Sequence, residues 1–269
     1  MKKPILIVLV YLCIQIALSS IEGLIFLFMG LGAQSAELSG KLFAPTLILS
    51  MLLMLWFLRY KGGIPVDKKS WSLVSIPYLL LTLVLSASFI PLSDGIAYLF
   101  RWMPDFTKTA FDAMSAGLVG IIAMAILGPI FEEVLFRGVV TKLLLQKYNP
   151  IKAIIISALI FGIFHLNPAQ IIPAFVGGLV LASLYYRTGS LIPSIILHIC
   201  INSTATITTI YCNDSTTSIC EMVGTKTYII IMLDAVFFFI ASAYLMKRIT
   251  DKRKKADETN KDVVSDSSY

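Results

Sequence analysis

The stretch GPIFEEVLFRG, residues 128–138, holds three ionisable side chains within six positions, and the only two histidines of the chain follow it at 165 and 198. The neighbours of Glu132, Glu133 and Arg137 would suit the middle of a bilayer, where an ionised side chain costs at least ~2.5–3.5 kcal/mol on insertion scales. Helical spacing divides the three. Glu133 and Arg137 are four apart, stack on one face and can form an ion pair that shares the burial cost, which suits a structural, orienting role. Glu132 points roughly 100° away around the helix, and Phe136 occupies its i+4 position. It is the carboxylate left to face a cavity, where it can act as a general base. Pro129, a turn earlier, removes a backbone donor and can open the helix at this level.

His198 and Asn202 are also four apart and share a face, from which an imidazole and an amide can donate hydrogen bonds to a developing oxyanion. Ordinary interhelical hydrogen bonding is the competing reading for both, and for His165. Depth favours convergence. With KYNPIK (147–152) as one surface turn, Glu132 and His165 lie roughly 22 and 21 Å along their helices. With RTGS (187–190) as the next turn on that side, His198 lies roughly 12 Å and Asn202 roughly 18 Å along theirs. Phe161, one turn before His165, is placed to pack beside its ring.

The elements that must hold these residues are read from composition. Of 269 residues 57% are hydrophobic and only 14% charged, with mean hydropathy +0.84. A soluble domain carries roughly 45–50% apolar and 25% charged residues. The chain is therefore expected to be an all-α, polytopic transmembrane helical bundle, since no barrel-type alternation appears. Runs of about 20 apolar residues fall near 4–30, 42–60, 71–92, 115–146, 151–167, 169–186, 190–208 and 227–246. These make about eight spans, the first a retained helix rather than a cleaved signal. With the N-terminus inside, most lysines and arginines fall on the inner side, and only Lys41, Arg101, Lys108 and Lys226 fall outside. That asymmetry places both termini in the cytoplasm, in a multi-pass protein of the plasma membrane.

The net charge of +6 reflects this flanking pattern and is no nucleic-acid signal. Four segments are expected: N-terminal membrane helices over 1–114, a core over 115–208, an outer loop and last span over 209–246, and a disordered basic tail over 247–269. There is no CxxC among Cys13, Cys200, Cys212 and Cys220. Cys212 and Cys220 share a loop, where a disulfide and two free thiols are equally open. Glu22 follows a Ser-x-x-Glu pattern, expected at a helix start or interface. Asp234 has no assigned partner.

The motifs EEVLFR (132–137), FGIFH (161–165) and HICIN (198–202), in this order, resemble the CPBP family. These are the CAAX-protease and bacteriocin-processing (Abi) intramembrane endopeptidases, which include the type II CAAX prenyl endopeptidases. The resemblance covers about residues 115–208. It implies an endopeptidase in which Glu132, with His165, activates the attacking water, His198 and Asn202 stabilise the oxyanion, and Glu133 and Arg137 orient the site. The substrate implied is a membrane-associated peptide or protein (prenylated, pheromone or bacteriocin-type), and membrane lipids are the other partner. Glu132, His165 and His198 could also make a three-ligand zinc or other divalent-metal site with an open position. Water activated without a metal is equally open. Two other classes compete: a non-enzymatic immunity or scaffold protein of the same fold, and a transporter relaying protons through buried carboxylates.

Overall fold

The computed structural model describes residues 2–28, 36–61, 67–212 and 214–266. Residues 29 and 30 of the first expected span and 267–269 of the expected tail lie outside them. The chain runs through ten helices among the described residues. These are α1 (Lys2–Phe28), α2 (Ala36–Tyr60), α3 (Ile76–Leu99), α4 (Lys108–Ser115), α5 (Leu118–Leu145), α6 (Pro150–Phe164), α7 (Pro168–Thr188), α8 (Ile192–Cys212), α9 (Ile219–Val223) and α10 (Thr225–Asp266). No strand occurs among the described residues. The protein is an integral membrane, all-α polytopic bundle.

Seven of these helices are long and apolar enough to cross a bilayer. The eighth apolar run is α6, at 15 residues or roughly 22 Å, too short for a ~30 Å hydrocarbon core by itself. Local chemistry explains where it stops. Asn149 caps its start by accepting from the Lys152 amide at 2.9 Å, with Pro150 pre-set at the first helical position. At the other end Leu166 adopts φ +51, a left-handed conformation that ends the helix. His165 therefore sits at the C-terminal cap of α6, not inside a full span as the apolar run from 151 to 167 implied.

Successive long helices reverse direction, and the ends they share are tied together. At the basic end Lys142 meets Asp67 at 3.1 Å, the Leu191 amide donates to Ser70 O, and Ser190 Oγ donates to Ser72 O. At the opposite end Arg101 pairs with Glu221. Asp94 there accepts from both the Ile219 amide and the Tyr228 hydroxyl. The interior joins α1, α2, α5 and α6 through Tyr11, Met54, Leu58, Phe131, Leu135 and Phe161. Lipid tails are as apolar as these side chains, so close van der Waals fit rather than water exclusion holds such helices together. The α6–α7 hairpin shows this best. A Cβ on Gly162 would stand 2.7 Å from Ile171 O, and one on Gly178 would stand 3.0 Å from the Ala158 Cα. Gly162→Ala is therefore expected to destabilise the protein by about 1–3 kcal/mol through overpacking, read as a lowered thermal midpoint in detergent. An unchanged midpoint would show that the hairpin can spread without loss.

Two expectations change. Helix α10 continues to Asp266, where a disordered tail from 247 was expected. An existing span spares the tail the cost of nucleating a turn, and Asp251 and Lys255, four apart, favour its extension. Glu22 lies well inside α1, so its Ser-x-x-Glu pattern marks no helix start. Asp234 is exposed on α10. All four cysteines are unpaired.

The loop side of the opposite end is clamped by Lys108, which bonds both Asp112 and Asp214. The Lys108 bond, followed by those from Thr216, holds the Asp214 carboxyl down at about 2, against an ordinary ~3.9. A lowered carboxylate contributes stability above its unfolded value and loses it as pH falls through the folded one. Lys108 is raised, first by Asp214, so its share is present at neutral pH and lost only in strong alkali. The thermal midpoint is thus expected to hold from pH 5 to 9 and to fall between about pH 4 and 2. Asp214→Asn should remove part of that acid limb. The effect is small because both groups are largely exposed.

Candidate active site

The helix that carries the acidic motif is not a regular α-helix. Ala123–Leu127 and Glu133–Thr141 are π-helical, on either side of an α-helical turn at Gly128–Glu132. Such bulges gather at functional sites. Here one has an identifiable cause. The Gly128 amide bonds five residues back to Ala123 O, and Pro129, five residues after Met124, has no N–H to offer. The Met124 carbonyl is instead met by Asn202 Nδ2 at 3.2 Å. Asn202 thus ties α8 to the opened backbone of α5, and one of its two amide hydrogens is engaged there.

Glu133 and Arg137 pair at 2.8 Å, both side chains fully buried. The Arg137 guanidinium also lies over the Phe161 ring, 4.3 Å from its centroid. The same Glu133 Oε1 lies 2.8 Å from His198 Nδ1, a contact that links α5 to α8 and was not visible from spacing along either helix. With Nδ1–H donated to Glu133, the neutral imidazole presents Nε2 as an acceptor. That nitrogen faces Glu132 Oε2 at 3.7 Å. Glu132 is 22% exposed where Glu133 is 0%. The two adjacent carboxylates therefore occupy different surroundings, one sealed and one accessible.

His165 reaches the same cluster from the α6 cap. Its Nδ1 lies 2.8 Å from the Phe161 carbonyl, and its ring packs edge-on to Phe161 at 4.9 Å. It lies within electrostatic reach of Glu132, His198 and Arg137. Phe161 is the common wall, since His198 also packs edge-on against it at 5.8 Å. The structure thus brings Glu132, Glu133, Arg137, His165 and His198 together, with Asn202 one turn along α8 and bonded to Met124.

Two further residues join the site. Tyr11 of α1 is buried, packs against Phe131 at 4.8 Å and Phe164 at 5.4 Å, and feels the charge of Glu132. Its signal in the sequence was a Tyr-Gln pair, Tyr11 and Gln15, one turn apart in an apolar span. Asn167 is fully buried and pins the turn after His165. Its Nδ2 donates to Asp105 at 2.9 Å and Thr107 at 2.7 Å, and its Oδ1 accepts from the Phe106 amide at 3.0 Å. No local spacing predicts a bond across sixty residues of chain.

A divalent metal asks for a grouping of donors that is not assembled. Among the described residues no three His, Cys, Asp or Glu side chains are arranged to hold an ion. The set Glu132, His165 and His198 therefore does not fit such a centre in this arrangement. The Nδ1 contact of His198 with Glu133 leaves Nε2 free, as in metal-bound histidines; what is missing is a third donor grouped with it and Glu132.

Fold and site together define a polytopic membrane protein with a carboxylate–histidine centre buried between helices. Residues 114–204 match the family model described as type II CAAX prenyl endopeptidase Rce1-like. Over this third of the chain the protein is similar to the CPBP family. The protein is similar to one of Bacillus subtilis (strain 168) named "Putative membrane peptidase YdiL", 34% identical over 97 residues, which are 36% of this chain and 40% of that protein. The aligned part of the chain spans less than half the length of that relative. No solved structure matches.

Proposed function

We propose that the protein is an intramembrane endopeptidase that hydrolyses a peptide bond of a membrane-associated peptide or protein. The observation that carries this reading is the pair of acceptors, Glu132 Oε2 and His198 Nε2, facing each other at 3.7 Å. Two acceptors at that separation call for a shared donor, and a water directing both hydrogens to them is polarised as a nucleophile. Its oxygen attacks the scissile carbonyl while Glu132 takes the proton. In this reading the second amide hydrogen of Asn202 meets the oxyanion. When the C–N bond breaks, that proton passes to the leaving amine, with His165 as a relay from the α6 cap. Glu133 and Arg137 fix the His198 tautomer. No step is routed through a metal, and cleavage is expected to survive prolonged treatment with a chelator.

The family description supports a prenylated CAAX-type substrate, and pheromone- or bacteriocin-type peptides fall in the same chemical class. The basic residues at one end support a plasma-membrane orientation with both termini cytoplasmic. The test is cleavage of membrane-associated peptides by the purified protein in proteoliposomes, with new termini identified by mass spectrometry. His198→Ala and His165→Ala are each expected to lose cleavage by at least about a hundredfold. Undiminished cleavage by folded His198→Ala would overturn the mechanism.

A further inference from the structure

At the basic end of the bundle, outside the carboxylate–histidine site, lies an open pocket of about 280 Å³ between the last turn of α5, the segment 67–70 and the end of α7. Its construction rests on Gly189, whose φ of +69 closes α7 in the left-handed conformation. A Cβ there would lie 2.6 Å from the Lys69 Cε and 3.4 Å from its Nζ. With glycine here, the Lys69 side chain lies across this turn and lines the pocket. Among the described residues its ammonium makes no ion pair or hydrogen bond.

Asp67 is the one carboxylate lining the pocket, and its oxygens are already engaged. They accept from the Ser70 amide and hydroxyl and from Lys142 at 3.1 Å. Two ammonium groups beside one committed carboxylate leave the pocket positive, with the Gln146 amide beside them. Leu145 and Tyr185 form its apolar edge, at the level where the spans end and lipid headgroups begin. We infer that this pocket binds the phosphodiester headgroup of an anionic phospholipid. A phosphodiester supplies oxygens for both lysines, and its glycerol and chains leave along the apolar edge. The site also bears on the interior. Tyr185 packs with Val134, Leu191 and Ile195, and Val134 adjoins Glu133, so an occupied pocket braces the helix that carries the acidic motif.

The inference stands apart from proteolysis and is read without it. The full chain is reconstituted in nanodiscs of phosphatidylcholine with or without phosphatidylglycerol, then released for native mass spectrometry and thermal unfolding. Phosphatidylglycerol is expected to remain bound and to raise the unfolding temperature. Lys69→Glu should cut its retention by about ten- to thirtyfold, and Lys69→Gln should do so more weakly while keeping the elution profile of the folded protein. Lys247→Glu with Arg248→Glu, at the same end but outside the pocket, should leave retention unchanged. Equal loss in that double variant, or full retention in both Lys69 variants, would overturn the site. Inorganic phosphate that protects as well as phosphatidylglycerol would assign the pocket to free phosphate and overturn the lipid.

Discussion

Glu132→Gln is expected to lower peptide cleavage by roughly 10²–10⁴-fold while leaving the protein folded in the membrane. The two halves of that expectation have separate causes. Glutamine is nearly isosteric but cannot take a proton from water, so the facing pair becomes one acceptor and one amide. The fold does not depend on the carboxylate, because Glu132 is part-exposed and its ion-pair partner His198 Nε2 stands no closer than 3.7 Å. The measurement is cleavage in proteoliposomes beside a thermal melt of the same preparation. Cleavage above a tenth of the parent level in a folded Glu132→Gln protein would remove Glu132 from the chemistry. The same variant is the natural trap, since peptides it retains identify the substrate by mass spectrometry.

Arg137→Ala is expected to do the reverse, costing about 3–5 kcal/mol of stability by stranding a buried carboxylate. Glu133 and Arg137 are both fully buried, and alanine also empties the space over the Phe161 ring. The pair is not fully satisfied: Glu133 Oε2 and Arg137 Nε have no hydrogen-bond partner among the described residues. Removing both charges should therefore hurt stability less than removing one, as seen when buried pairs give way to well-packed apolar groups. Glu133→Gln with Arg137→Met is expected to recover much of the thermal midpoint lost in Arg137→Ala. Activity should stay low, because the carboxylate that fixes His198 through Nδ1 is gone. A double variant as unstable as Arg137→Ala would show that the charges themselves hold the helices in place. Loss of stability with the tautomer unaffected would appear as normal turnover at a depressed midpoint.

What was legible in the sequence is what lies along a single helix. The i, i+4 spacing paired Glu133 with Arg137, and hydropathy alone located the apolar helices. Phe161 was expected beside His165 because they are one turn apart. The rest depends on contacts between helices, which spacing does not encode. The bond from His198 to Glu133, the packing of Tyr11 under Phe131 and the Asn167 clamp onto Asp105 and Thr107 each join distant segments. The π-helical turns around Pro129 were foreseen only as an opening of the helix. Their stabilisation needed a partner for the Met124 carbonyl, and Asn202 comes from another span. Hydropathy also counted α6 as a full span, because apolar residues run on past the point where Leu166 turns the backbone.

The order in which the chain is made gives the Glu133–Arg137 contact a second meaning. Helix α5 enters the bilayer before α6 and α8 exist, so neither histidine is yet there to meet its carboxylates. An isolated buried glutamate would face lipid alone during that interval. Because its counter-charge lies one turn along the same helix, the pair travels as a neutral unit and needs no later segment to make insertion tolerable. Helix α6, too short to span by itself, must then enter with α7 as a hairpin. Biogenesis thus delivers the acid half of the centre first and its two imidazoles afterwards, so the centre is complete only once α8 is in place.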